Sequence, residues 1–323
     1  MKFITGLAAT VYRFVLKSCA LMARGPVGKL EALLLVALIV FWGSSFVVVK
    51  LALAEGLTPF SIATFRFLLA GGLFLVILML KAVRKSGDKV FVHRGDLPIL
   101  ASLAVSGITL FYLAQYVGIA MAGASIAAIF ACFLSPIFIA IVSTAILKER
   151  ISRGQASGIG FAAVGTLIVV LGGSVSVQFG SDFFCGSIIL LATPILWTFY
   201  TILGKRAIEK YNPILILTYV TVFGGLLLFP FSVADGSIRL VLSMSLSSWL
   251  AIAYLAVTCT LVGYYIWFYA VEKVGATVTS AFLFAEPLVT VLLAASFVGE
   301  TITAPIAVGG LLIFAGVYLV TRK

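Results

Sequence analysis

Residues 276–291 read ATVTSAFLFAEPLVTV. The stretch is long, apolar and helical in pattern, yet Glu286 and Pro287 stand together near its middle. A carboxylate at the centre of a membrane helix costs about 2.5–3.5 kcal/mol on insertion scales. Proline removes a backbone donor and clashes with the carbonyl four residues back, which kinks or loosens the helix. A charge and a helix break at one membrane depth are what a transport site uses. The plainer alternative is that Glu286 pairs with a neighbouring helix or caps freed amides. Ionisable groups inside a membrane face the bundle interior, so the functional reading leads.

The rest of the chain is of the same kind. It is 63% hydrophobic and 10% charged, whereas a soluble domain carries about 25% charged residues. The fold class is therefore all-α, a polytopic membrane protein. Ten apolar stretches fall at roughly 32–52, 60–81, 97–118, 124–146, 154–173, 184–204, 213–232, 248–270, 276–297 and 303–321. Each is near the ~20 residues that cross a hydrocarbon core. Residues 1–30 precede them. Arg13 and Lys17 interrupt the apolar run there and no clean small-residue cleavage site follows. A basic helix at the cytoplasmic interface fits that segment better than a signal peptide.

Net charge is +11, but the basic residues sit in short connections, so topology and anionic membrane lipids explain them, not nucleic acid. Nineteen Lys and Arg residues fall on one side of the ten spans and only Arg239 on the other, with Lys50 and Arg66 inside spans. That bias places both termini in the cytoplasm. The four cysteines have no metal-ligand spacing, His93 is the one histidine and sits in a charged loop, and no GxxxxGK[ST] loop occurs. Neither a metal site, a cofactor, a disulfide framework nor direct use of ATP is expected. No Ser/His/Asp or paired-acid constellation supports an enzyme.

The second half of the chain echoes the first. Trp42 and Lys50 match Trp197 and Lys205 at an offset of 155, and Pro59 matches Pro213 at 154. Gly123-Ala124-Ser125 matches Gly275-Ala276-Thr277 at 152, and Pro136, Glu149, Gly158 and Gly165 match Pro287, Glu300, Gly309 and Gly316 at 151. Ordered matches with a slowly drifting offset mean duplication with a few deletions. The expected units are 31–173 and 174–323, five spans each. Five is odd, so the second unit runs upside down relative to the first, and the two inverted five-helix repeats can exchange shapes about a site at their interface.

These residues carry a resemblance. FWGSSFVVVKLAL (41–53), RFLLAGG (66–72), GASIAAIFACFLSPIFIAI (123–141) and LKER (147–150) look like an EamA-type repeat. The second copy is VGATVTSAFLFAEPLVTVLLAASFVGE (274–300) with GGLLIFAGVYL (309–319). Together, over about 31–321, they resemble the ten-helix members of the drug/metabolite transporter superfamily. The resemblance implies a bacterial or archaeal inner-membrane secondary transporter, often an exporter. It also implies a central cavity lined mainly by spans 1, 3, 4, 6, 8 and 9. The basic extension 1–29 departs from the usual short N-terminus.

Spacings of three and four residues share a helix face. Such faces offer Trp42 and Ser45, Tyr112, Gln115 and Tyr116, Trp197 and Tyr200, Tyr264 and Trp267, and Phe282 and Glu286. Converging, they would make an aromatic-walled cavity with a few polar groups to orient a small molecule. Tryptophans and tyrosines near span ends also form interfacial belts, and Trp42 and Trp197 could simply pack spans 1 and 6. Glu286 is the candidate coupling residue, exchanging a proton. Pro136 and Pro287 are read as structural breaks. Glu149 and Glu300 are read as structural acceptors for amides opening the next helix. Arg66, Lys50 and Lys205 are expected to snorkel to the interface. The leading expectation is a secondary active transporter, an exporter of a small metabolite such as an amino acid or an amphiphilic drug, working as a monomer. The alternative is a non-transporting membrane sensor or assembly partner.

Overall fold

Hydrocarbon offers no partner for a backbone N–H or C=O, so apolar runs of this length satisfy themselves as helices. A computed structural model describes residues 27–83, 91–122, 126–127, 129–172, 181–298 and 304–322. The N-terminal segment up to residue 26, residues 123–125 and Glu300 lie outside the described residues. Among the described residues nine helices are long and apolar enough to cross a membrane, and a shorter apolar helix accompanies them. In chain order they are α1 (Lys29–Ala54), α2 (Pro59–Val83), α3 (Arg94–Ala122), α4 (Phe130–Ile146), α5 (Arg153–Gly172), α6 (Ser181–Ile208), α7 (Pro213–Ala234), α8 (Leu246–Val274), α9 and α10 (Ala304–Thr321). Helix α9 consists of Ala276–Ala281, a tight 3-10 turn Phe282–Ala285, and Glu286–Val298. Large apolar side chains such as Leu51, Met79, Ile188, Leu226 and Leu311 point outward, as lipid-facing residues do.

The repeat is written in the packing. Helices α2 and α7, equivalent at offset 154, lie side by side and antiparallel. Thr64 Oγ1 donates to the carbonyl of Leu228 at 3.2 Å, and Thr218 Oγ1 donates to that of Phe74 at 3.4 Å. Each bond is the other with both residues moved by 154. Helices α5 and α10 do the same. A Cβ on Gly158 would meet the Gly316 carbonyl at 2.6 Å, and one on Gly165 would meet the Gly309 carbonyl at 2.6 Å. Equivalent helices running antiparallel to each other are what inverted repeats produce. The remaining contacts also exchange: α1 packs on α9 and α8, while α6 packs on α4 and α3.

The breaks at Pro136 and Pro287 are built differently. Pro287 follows the 3-10 turn of α9, and the carbonyl of Phe284 in that turn accepts from Thr166 Oγ1 of α5 at 2.9 Å. Pro136 follows a wide π-type turn, Ile129–Leu134. Matching π-type turns occur at Val105–Leu110 in α3 and Leu255–Val262 in α8. In α8 the loosened backbone carbonyl of Cys259 accepts from Trp42 Nε1 at 2.9 Å, tying α1 to α8.

Candidate functional site

Between the halves lies a small cavity, with about 60 Å³ in which the centre of a water-sized sphere fits and about 590 Å³ of empty space once the open solvent at its mouth is included. Its apolar wall comes from Trp42, Phe46 and Val49 of α1, Phe111 and Ile119 of α3, Ala131 of α4, Trp197 of α6 and Leu283 of α9. Its polar groups are Ser45, Arg66, Tyr112, Gln115, Tyr116, Ser135 and Glu286.

Two pairs of repeat equivalents touch each other across the halves here, which places them at the axis relating the halves. The rings of Trp42 and Trp197 are 5.4 Å apart at 80°. Tyr264 Oη donates to Tyr112 Oη at 3.0 Å. Phe111 packs on Trp197 with centroids 5.1 Å apart, so the floor is a continuous aromatic layer.

Of the residues expected at the site, Trp42, Ser45, Tyr112, Gln115, Tyr116, Trp197 and Glu286 line this cavity. Tyr200, Tyr264, Trp267 and Phe282 do not. Each is almost wholly buried, and Tyr200, Tyr264 and Trp267 pack against the tryptophans of the aromatic floor. Trp267 packs 5.4 Å from both Trp42 and Trp197, and Tyr200 packs 5.1 Å from Trp197 and 5.2 Å from Phe268. The physical reason is that a helix face runs the full depth of the bundle while the cavity occupies part of it. Helix α8, expected in the wall, contributes no lining residue; α2 does, through Arg66. The buried Oη of Tyr200, Oγ1 of Thr201 and Nε1 of Trp267 have no hydrogen-bond partner among the described residues.

Arg66 corrects the snorkelling expectation. Its side chain is 2% exposed. Nε donates to Thr260 Oγ1 at 2.7 Å and Nη1 to Tyr116 Oη at 3.0 Å. Those two acceptors hold it inward, across α2, α3 and α8. Glu286, 6% exposed, accepts from Cys132 Sγ at 3.3 Å and forms no ion pair among the described residues.

At the end of the bundle beyond Tyr200, the chain is latched. Glu149 accepts from Lys205 Nζ at 2.6 Å, from the amides of Ala276 and Thr277 at 2.9 and 3.1 Å, and from Thr277 Oγ1 at 2.7 Å. Glu149 thus does cap amides, but those opening α9 rather than α5, and Lys205 is paired rather than snorkelling. The turn that presents these amides needs Gly275, at φ 89°, a conformation L side chains rarely adopt. Burial pushes the Glu149 carboxyl up, but Lys205, the Thr277 hydroxyl and the two amides outweigh it and hold it down to about 2. Nearby, Asp96 accepts from Lys210 Nζ at 2.9 Å and Tyr211 Oη at 2.7 Å.

Sequence reading missed Arg66, Ser135 and much of the apolar wall. One signal was available. Arg66 has Val220 as its counterpart, Glu286 has Ser135 and Gln115 has Trp267. A polar residue present in one repeat only is not needed by the shared scaffold.

Comparison with known proteins follows the same lines. A protein of Archaeoglobus fulgidus described as an uncharacterized transporter is 28% identical over 90% of this chain and 97% of its own length. A second from that organism, with the same description, is 30% identical over 88% of this chain and 96% of its own. The uncharacterized inner membrane transporter YicL of Salmonella typhimurium is 29% identical over 87% and 92%. A solved structure 16% identical superposes with a TM-score of 0.69 over 90% of this chain and 95% of its own, which establishes the fold alone. The family model for EamA-like transporters matches twice, at residues 29–171 and 184–322, once for each set of five helices. Duplicated, inverted and matched in both halves, the chain belongs to the EamA-like transporter family.

Proposed function

We propose that this multi-pass membrane protein is a secondary transporter that exports a small amphiphilic metabolite by alternating access, without chemical change to it. The observation that carries the reading is one cavity with sparse polar groups, at the interface of two inverted halves and latched at one end by Glu149 and Lys205. Lysine and arginine crowd the latched end, so that end is cytoplasmic, both termini lie there, and the cavity opens outward. Relatives described as inner membrane transporters support the same membrane for this chain. The working units are 31–173 and 174–323, with 1–30 as a basic interfacial segment beside membrane lipids. Both halves are present in one chain, so a monomer suffices.

Glu286 couples the cycle to protons. A carboxyl group in the cavity wall with no basic partner among the described residues can be neutral in one state and charged in the other. The test is flux into and out of proteoliposomes under an imposed pH gradient. Saturable, gradient-driven flux in the wild type that becomes passive exchange in Glu286→Gln is the expected result. Gradient-driven accumulation retained in Glu286→Gln removes its coupling role; no saturable flux across a broad metabolite panel removes the transporter reading.

A further inference from the structure

Arg66 is a buried cation in the cavity wall with donors to spare. A guanidinium has five N–H groups, and Thr260 and Tyr116 use two. Its Cζ lies 4.7 Å from the Tyr112 ring centroid and 5.1 Å from that of Phe67, which offsets part of the desolvation. The ion pairs Lys205–Glu149, Lys210–Asp96 and Lys273–Glu272 lie elsewhere, and Arg66 forms none among the described residues. A cation held in a membrane interior without a carboxylate is costly, and such residues mark ligand pathways. Its repeat counterpart, Val220, is fully buried in α7 without any charge, so helix packing at this position does not require one.

Resting on the transporter reading above, we infer that Arg66 binds the carboxylate of the transported molecule. The guanidinium fork matches a planar carboxylate in a way an ammonium does not. Among the described residues one fixed cation faces the cavity, and Glu286 shares its wall, so a monoanion fits and a phosphate dianion is repelled. Trp42, Phe111 and Trp197 supply a surface for an apolar or aromatic body. The substrate class is therefore small carboxylates with such a body, and cationic amphiphiles lacking a carboxylate are not carried.

Three probes with the same phenylethyl body separate the possibilities: 3-phenylpropionate, its neutral amide 3-phenylpropanamide, and phenethylamine. A ligand that binds the folded protein raises its apparent melting temperature. The wild type is expected to respond to 3-phenylpropionate and not to the other two at equal concentration. In Arg66→Gln the apparent affinity for the carboxylate falls by about tenfold or more, as loss of a charged hydrogen-bond partner does. Arg66→Lys, which keeps the charge but not the fork, falls between. An equal or larger response to the amide or amine, no response to the carboxylate, or full retention in Arg66→Gln overturns the inference. If Arg66→Gln does not fold, Arg66→Lys decides. A purely structural Arg66 would leave the carboxylate affinity of folded Arg66→Lys unchanged, and that outcome overturns the inference. Saturable flux of phenethylamine without flux of 3-phenylpropionate would sink this inference and leave the transporter reading standing.

Discussion

Tyr264 donates a 3.0 Å hydrogen bond to Tyr112, and the two residues are each other's repeat equivalents, 152 positions apart. A bond between equivalents sits on the axis that relates the halves, so exchanging the two conformations leaves it intact. Such a bond stabilises both access states alike. Tyr112→Phe and Tyr264→Phe are each expected to cost about 1 kcal/mol, and the double variant about as much as either single one. A double-mutant cycle on thermal or denaturant unfolding measures this. Full additivity would show that the two hydroxyls act independently.

The glycines joining α5 to α10 make a sharper stability prediction. A Cβ on Gly165 would meet the Gly309 carbonyl at 2.6 Å and the Ile313 amide nitrogen at 2.7 Å. Both are backbone atoms of a packed helix, so α5 and α10 must separate. Gly165→Ala is expected to destabilise by about 1–3 kcal/mol. Gly72, exposed on α2 with open space around its Cβ position, is the control: Gly72→Ala leaves stability unchanged or slightly raised. Equal melting temperatures for the two variants would contradict the close approach.

Much of this was legible in the sequence, and what was not has a physical reason. Spans follow from apolar length, and the inverted pairing follows from ordered matches such as Gly158 with Gly309. The break at Pro287 follows from the missing amide. Depth was not legible: Trp42 and Trp267 both lie on inward faces, but only three-dimensional packing decides that one lines the cavity and the other supports its floor. Arg66 was misread because its position six residues into a span is compatible with snorkelling, and the acceptors that hold it inward, Thr260 and Tyr116, are 194 and 50 residues away. Glu149 caps amides as a carboxylate following a span should, but those of a distant helix, since a loop carboxylate can reach amides far away in sequence.

The latch at Glu149 predicts a pH dependence. Its folded value is about 2 against an ordinary 4.5. A lowered value means stabilisation present in full above 4.5 and lost as pH falls toward 2. Asp96, also held low by Tyr211 and Lys210, contributes in the same direction. Melting temperature should therefore fall on acidification through this window, and fall less steeply in Glu149→Gln. Charge reversal, Glu149→Lys with Lys205→Glu, should not rescue, because the amides of Ala276 and Thr277 need an acceptor at residue 149. Parallel pH curves would show that the latch contributes nothing, and full rescue by the reversal would show that the ion pair alone matters.

Gln115 and Trp267 are repeat equivalents with opposite placements, and their alanine variants should differ accordingly. Gln115 faces the cavity, so Gln115→Ala removes a hydrogen-bonding group from the ligand's surroundings and leaves the helices packed. Lower affinity with an unchanged melting temperature is expected. Trp267 has no exposed surface and supports both Trp42 and Trp197 from below. Trp267→Ala leaves a void there, worth about 3–5 kcal/mol for a buried tryptophan. Its melting temperature should drop first, and any loss of transport should follow from a collapsed floor. Measuring transport and thermal unfolding on the same preparations separates the two. Unchanged stability in Trp267→Ala together with lost ligand binding would return that residue to the cavity wall.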